Sequence, residues 1–347
     1  MKLVLASNGS YPRSGDAPEW QCLRRTVEAF ARGETTAADL ADAQKEMTRH
    51  AIAEQAQAGI EVLTDGMIRW QDPISHVAGK LRGVRLGETL PYFNTGINFR
   101  QPVLTAKPTR DANGAGGLVS EFQFARNALG QLPTAMERAG RLAMKPVLVG
   151  PYTLARLSRA EHSAMQALEA RAAAFAEAVA GEFLALIAAG ADLVQVDEPA
   201  LASHPEEFSI FAAALRALCD ARDQARKSGR EARLALCVNL GDTQPIYEQL
   251  AQLPVDALLL DFTASATLAA AVAAVGSPIP LGLGVVDGTN PEVEDAGTIA
   301  RRIEPVVGKL PSEYAFLGPS AGLERLPRDR AYAKLALLAE IRSALMT

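Results

Sequence analysis

Leu193-Val194-Gln195-Val196-Asp197-Glu198-Pro199-Ala200-Leu201 is the stretch on which the reading of this chain turns. An apolar run that closes on Asp-Glu-Pro is a buried strand delivering two carboxylates to a loop, and the proline ends the strand. Polar groups at the carboxyl end of a buried strand are where α/β folds place their chemistry. Seven further runs can be read, and most end the same way. Lys2 to Ala6 leads into Asn8, Ser10 and Arg13; Glu61 to Thr64 leads into Asp65; Pro146 to Val149 leads into Gly150-Pro151-Tyr152. Arg233 to Val238 leads into Asn239, Asp256 to Leu260 into Asp261, Pro280 to Val286 into Asp287, and Tyr314 to Leu317 into Gly318-Pro319-Ser320. Between them lie alanine-rich segments with helical spacing, such as Ala167 to Ala189, Pro205 to Lys227 and Thr298 to Val307. Strand alternating with helix over eight units predicts an α/β fold, a (β/α)8 TIM barrel. The alternative is an open doubly wound sheet, but no Gly-x-Gly-x-x-Gly turn follows the first strand.

The 347 residues read as one barrel domain, 1–347, with an insertion at about 78–144 between the second and third strands. Within it, Leu86 to Pro108 is rich in Gly, Pro and β-formers and suggests hairpins over one end of the barrel; Asp111 to Gly117 is the most loop-like segment. A net charge of −5 and a pI near 5.6 leave no basic footprint for nucleic acid or an anionic membrane. No apolar run is long enough to span a bilayer, and the start of the chain lacks a signal-peptide pattern. Cys22, Cys219 and Cys237 are too few and too scattered for a disulfide framework. The expectation is a cytoplasmic protein that acts on a small molecule, with neither nucleic acid nor membrane as partner.

In a barrel the strand ends converge, here bringing together Asn8, Ser10, Asp65, Tyr152, Asp197, Glu198, Cys237, Asn239, Asp261, Asp287 and Ser320. The set is rich in carboxylates and has no histidine; His50 and His162 fall in helical stretches, and His76 and His204 lie beyond strand ends. Acidic residues at strand ends also cap helices and pair with arginine, so one such residue says little. Several together repel one another until a cationic ligand, a metal or an arginine relieves them. Arg13 and Arg69 directly follow strand ends and are candidates to balance the cluster or to grip a substrate carboxylate or phosphate.

Several segments, in this order and spacing, resemble the catalytic barrel of the cobalamin-independent methionine synthase family. They are Asn8-Gly9-Ser10-Tyr11-Pro12-Arg13, Gly59 to Gly66 with Arg69 and Asp72, Lys145 to Leu154, Val194 to Leu201, Leu281 to Pro291 and Leu317 to Leu323. The resemblance runs from end to end and implies the barrel fold, methyl transfer to a thiol such as homocysteine, and a zinc ion that holds the sulfur as thiolate. It also implies that Gly9 and Ser10 surround the amino-acid carboxylate and that Asp197 receives the amino group.

The same resemblance exposes departures. The four zinc-ligand positions of the family hold Cys237, Asn239, Asp261 and Ala321, and alanine cannot bind a metal. Met67 stands for a carboxylate that helps hold the amine, and Leu157 for a tryptophan that stacks on folate. The expectation is therefore no metal or other cofactor, and no folate-type donor. Three readings stay open. One is a methyl- or alkyl-transferase of the family type, with Asp197 or Asp261 as general base and a partner protein as one way to supply activation. Another is a metal-free lyase, dealkylase or hydrolase acting on a zwitterionic or cationic substrate. The last is a relative that only binds a small molecule. The catalytic candidates are Asp197, Asp261, Asn239 and Cys237. The binding candidates are Gly9, Ser10, Arg13, Asp65, Arg69, Tyr152, Glu198, Asp287 and Ser320. For Cys237 the residue types also allow a plain packing role, because carboxylates around a thiol disfavour its thiolate.

Overall fold

In a computed structural model the chain is described over residues 1–111, 117–133, 142–310 and 313–346; the expected loop at Asp111 to Gly117 falls largely outside these residues. In chain order the strands are β1 (Lys2–Leu5), β2 (Val62–Leu63), β3 (Leu81–Tyr92), β4 (Ile97–Arg110), β5 (Ala143–Met144) and β6 (Val147–Val149). They continue with β7 (Arg159–Ala160), β8 (Leu193–Asp197), β9 (Arg233–Val238), β10 (Ala257–Asp261), β11 (Leu281–Val286) and β12 (Tyr314–Pro319).

Seven strands form a parallel sheet in the order β1-β12-β11-β10-β9-β8-β6. Its two ends are joined through β2. Ala6 bridges Val62 in parallel, with Ser7 N–H donating to the Val62 carbonyl at 2.9 Å, and β2 pairs with β5. β5 and β6 are one extended run interrupted at Pro146, which has no N–H to give a ladder; Lys145 N–H reaches back to the Leu63 carbonyl and Gln195 N–H reaches the Pro146 carbonyl. The hydrogen bonds thus complete a circuit of eight parallel strand positions, the expected (β/α)8 barrel. All eight runs read from the sequence are strands, and helices cover Leu168–Ala188, Phe208–Lys227 and Ala296–Val307.

Period-two alternation divides each strand between two cores. Val194, Val196, Leu234, Leu236, Leu258 and Leu260 face outward into the apolar layer under the helices. Ala6, Leu193, Ala235, Cys237, Ala257, Leu259 and Phe316 form a separate cluster inside the barrel. Closer to the carboxyl ends, the inward positions become polar.

The insertion is an antiparallel β3–β4 hairpin followed by a helix over Leu118–Gly130. β4 pairs with β7, Arg110 reaches Glu182 at 2.5 Å, and Arg85 bonds Glu161, so the hairpin stem is braced on the barrel's flank. The helix is fixed through Glu121, which accepts hydrogen bonds at 3.1 Å from Trp70 Nε1, His76 Nε2 and Lys80 Nζ. Burial alone would raise this carboxyl, but His76 and Lys80 hold it at about 2.

The two ends of the chain are fastened by Arg328. Its guanidinium donates to Glu54 Oε1 at 2.9 Å and to the Pro12 carbonyl at 2.7 Å, and lies 4.4 Å from the Trp20 ring centroid. Glu54 also accepts the Tyr11 hydroxyl at 2.8 Å. Removing one partner of a buried, hydrogen-bonded pair leaves the other charge without compensation. Arg328→Met keeps the volume but strips the charge, and is expected to cost about 3 kcal/mol in urea unfolding. A loss below about 0.5 kcal/mol would mean the tie is dispensable.

Candidate active site

The polar layer of the barrel begins with Lys145, which is 2% exposed and donates to the Ser7 carbonyl at 2.9 Å and to Gln195 Oε1. Gln195 is fully buried two residues before Asp197, on the same inward face. Its Nε2 donates to the Asn8 carbonyl at 2.6 Å, to Asn8 Oδ1 at 3.1 Å and to Asp197 Oδ1 at 2.7 Å. Cys237 Sγ lies 3.5 Å from Asn8 Oδ1. Four strand ends therefore meet in one connected network. Burial lowers the Lys145 ammonium to about 8, against the pull of Cys237 and Asp197. Burial likewise pushes the Asp197 carboxyl up to about 7, against the Gln195 hydrogen bond and the Lys145 charge. The Cys237 thiol is pushed up by burial and by the neighbouring Asp197 charge, so it is a packed thiol rather than a ready nucleophile.

Above the network is a cavity of about 570 Å³, counted with its opening to solvent. Asn8, Gly9 and Ser10 line it from β1, Asp197 from β8, Asn239 and Leu240 from β9, and Ala321, Gly322, Glu324 and Arg325 from beyond β12. The β3–β4 turn closes it from above through Tyr92 and Thr95. Three residues that are not glycine take left-handed backbone angles among the described residues: Met67 (φ 50°), Phe93 (φ 49°) and Leu240 (φ 60°). Met67 and Leu240 line the cavity and Phe93 sits in the turn that covers it. Each such angle costs about 1–3 kcal/mol, and strain confined to one cleft marks it as a site whose shape matters.

The sequence candidates separate into groups. Gly9, Ser10, Asp197 and Asn239 line the cavity, and Cys237 lies in the network beneath it. Asp261 is the inward residue at the end of β10. Its Oδ1 accepts from Thr263 N–H, Thr263 Oγ1 and Ala264 N–H, while Oδ2 has no hydrogen-bond partner among the described residues. Burial raises its carboxyl, the turn's hydrogen bonds oppose this, and the Asp287 charge adds to it. Asp287 Oδ1 holds the Thr289 turn, and Ser320 Oγ accepts from Gly288 N–H at 3.3 Å.

The remaining candidates do not line the cavity, although the Arg13 charge reaches Glu324 on its wall. Glu198 follows Asp197 and so points outward, where its carboxylate accepts from Tyr152 N–H at 3.0 Å and Thr153 N–H at 2.6 Å at the start of the Pro151–Arg156 helix. A side chain at Gly150 would occupy the place of that carboxylate. Tyr152 gives its hydroxyl to Glu207, Arg69 packs 5.3 Å from the Phe124 ring centroid, and Arg13 donates to the Trp70 carbonyl at 2.9 Å. Asp65 borders a small separate cavity beside Trp70, Glu121 and Lys145. Sequence reasoning passed over Gln195, Tyr92 and Glu324. Gln195 had a signal, being polar within an apolar run and in phase with Asp197; Tyr92 had none, because its place depends on how a long hairpin folds back.

The residues at the family's zinc positions do not fit a tetrahedral zinc. They offer one thiol engaged with Asn8, one amide, one carboxylate holding a turn, and the methyl of Ala321. Among the described residues, the only trio of His, Cys, Asp or Glu with ligand atoms within 4.8 Å of one another is His204, Glu206 and Glu207, outside this cavity. Glu207 there also pairs with Arg156.

A family model described as the catalytic domain of the cobalamin-independent synthase matches residues 4–343. The methionine synthase of Saccharolobus solfataricus is 27% identical over 338 residues, covering 96% of this chain and 91% of the relative. That of Methanothermobacter marburgensis is 26% identical over 329 residues, covering 94% and 95%. Among solved structures, a B12-independent methionine synthase from Shewanella sp. W3-18-1 in complex with selenomethionine superposes with a TM-score of 0.75 at 18% identity, covering 100% of this chain and 98% of that one. That likeness speaks to the shared fold. No helix among the described residues is long and apolar enough to cross a membrane.

The Asp197 carboxyl rises from 3.8 to about 7 on folding, so the folded chain holds a proton that the unfolded chain has released. The stability contributed by this group is complete below the unfolded value and is lost as pH rises through the folded one. Thermal melts of ligand-free Asp197→Asn should therefore gain on the unsubstituted chain between about pH 4 and 7, reaching roughly 5 °C above pH 7. A difference that does not change with pH would show that Asp197 is a satisfied carboxylate in the free protein.

Proposed function

The chain belongs to the cobalamin-independent synthase family as a catalytic domain, and from this membership we propose that it is a methyl- or alkyl-transferase whose acceptor is a small amine-bearing thiol such as homocysteine. It is an enzyme of the methionine synthase type. The observation that carries the choice of acceptor is Asp197, a carboxylate lining the cavity whose side-chain donors, the Gln195 amide and the Cys237 thiol, are both neutral. An ammonium placed there would restore the ionised form that burial disfavours.

The remaining roles follow from position. Asp261 reaches the same end of the barrel with one oxygen uncommitted and a raised carboxyl, which narrows its gap to a thiol of reference pKa about 8.5. It would accept the thiol proton as the sulfur forms its bond to the methyl carbon and the donor departs with the electron pair. Asn239 would orient the acceptor, and the buried Lys145 ammonium would favour negative charge developing above it. This mechanism uses no zinc, in keeping with the donor set at the family's ligand positions. Leu157, half-buried and packed on the outer core, gives a folate-type donor no aromatic face.

The test joins metal analysis of the purified, unchelated protein to a homocysteine titration. The expected result is zinc well below one equivalent, measurable binding, and at least a tenfold loss of affinity in Asp197→Asn with the fold intact. Near-stoichiometric zinc would overturn the metal-free mechanism, since Cys237 and Asp261 would then have recruited other ligands. Unchanged binding by Asp197→Asn would remove that residue from the site.

A further inference from the structure

The cavity already contains a carboxylate of its own. Ser10, whose hydroxyl lines the cavity from the β1 loop, donates that hydroxyl to Glu324 Oε2. The two groups meet where Gly322 has no side chain; a Cβ there would collide with both the Ser10 hydroxyl and the Glu324 carboxylate. The strongest side-chain donor on that wall is therefore committed to an internal anion. Glu324 makes no ion pair within 4.0 Å among the described residues, and the Arg13 guanidinium charge acts on it from a greater distance.

Tyr92 supplies an independent observation. It is 7% exposed, hangs from the β3–β4 turn into the cavity, and its hydroxyl has no hydrogen-bond partner among the described residues. Burial raises this phenol well above its ordinary range, and the charges of Asp197 and Glu324 are the next largest causes. Tyr92, Asp197 and Glu324 line the same cavity, and the phenol stays a neutral donor and acceptor there. The ionisable residues lining the cavity are Asp197 and Glu324 against one exposed guanidinium, Arg325, at the rim. The buried Lys145 charge acts on Asp197 and the Arg13 charge on Glu324, so selection here is local rather than a matter of net charge. A zwitterion brings its own carboxylate toward Glu324 and the Ser10 hydroxyl already committed to it, and an amine without a carboxylate does not.

We propose that the acceptor of this site is a cationic amine without a free α-carboxylate, its ammonium held by Asp197 and the Tyr92 hydroxyl, with Glu324 filling the wall where an amino-acid carboxylate would otherwise be bound. This rests on the reading of the site as one for an amine-bearing thiol and narrows it. Glu324 is a specificity residue: it rejects by like charge, and Ser10 keeps it in place.

The experiment compares two probes by calorimetry at pH 8 on the full chain, homocysteine and aminopropanethiol, which is the same thiol amine lacking the carboxylate. The expected result is that aminopropanethiol binds about tenfold tighter or more, and that Glu324→Gln brings the two within about threefold through a gain for homocysteine. The comparison on the unsubstituted chain stands without any variant, so misfolding of Glu324→Gln would not rescue the proposal. Homocysteine binding as tightly as aminopropanethiol, or more tightly, would overturn it and leave the thiol-amine site intact. Binding of neither probe would overturn both.

Discussion

The upper half of this barrel is arranged around the buried ammonium of Lys145. A cation removed from water has to be met by acceptors, and here they are the Ser7 carbonyl on one side and the Gln195 amide oxygen on the other. An ammonium can only donate, so the Gln195 oxygen must face it and the Gln195 nitrogen must face away. That one choice aims the amide N–H groups at Asn8 and Asp197, and so fixes the rotamer of the carboxylate on which the site depends. Side chains and backbone from four strands become mutually dependent. The break at Pro146 takes part as well, because it lets the third barrel strand pair with β2 on one side and β8 on the other, with Lys145 at the changeover.

The same arrangement explains why the free protein stores unfavourable energy at its mouth. The Asp197 carboxyl is desolvated further than its neutral donors compensate, and among the described residues the Tyr92 hydroxyl has no partner and three non-glycine residues sit on left-handed backbone. None of these is needed to close the barrel, whose two apolar cores are complete without them. They are the features of a surface shaped for something that is absent until it binds.

The eight strands were legible in the sequence because a parallel strand covered on both faces has to be an apolar run, and the polar residues that follow mark its carboxyl end. The cavity was half legible for the same reason. Asp197 and Asn239 could be named because inward positions continue past the strand, and Gly9 and Ser10 because they follow β1. Glu198 illustrates the limit. It is as acidic as Asp197 and adjacent to it, yet alternation turns it outward to cap a helix, and counting in twos from Leu193 would have separated the pair. Arg69 and Tyr152 follow strand ends but are claimed by a ring and by a carboxylate that sequence spacing does not reveal. Glu324 and Tyr92 lay beyond reach because their positions are set by a loop meeting β1 and a hairpin folding over the mouth.

That hairpin divides labour within the molecule. Its stem is held on the flank by Arg85, Arg110 and the pairing of β4 with β7, away from the barrel ladders, and only its turn touches the cavity. A change of length or residue at the turn alters the roof of the chamber and the edge of the main core that Tyr92 and Phe93 join, while leaving the barrel ladders untouched. The arm is in effect an interchangeable part. Lineages that share this barrel can diverge in what they accept by remodelling this one turn, with the barrel ladders kept.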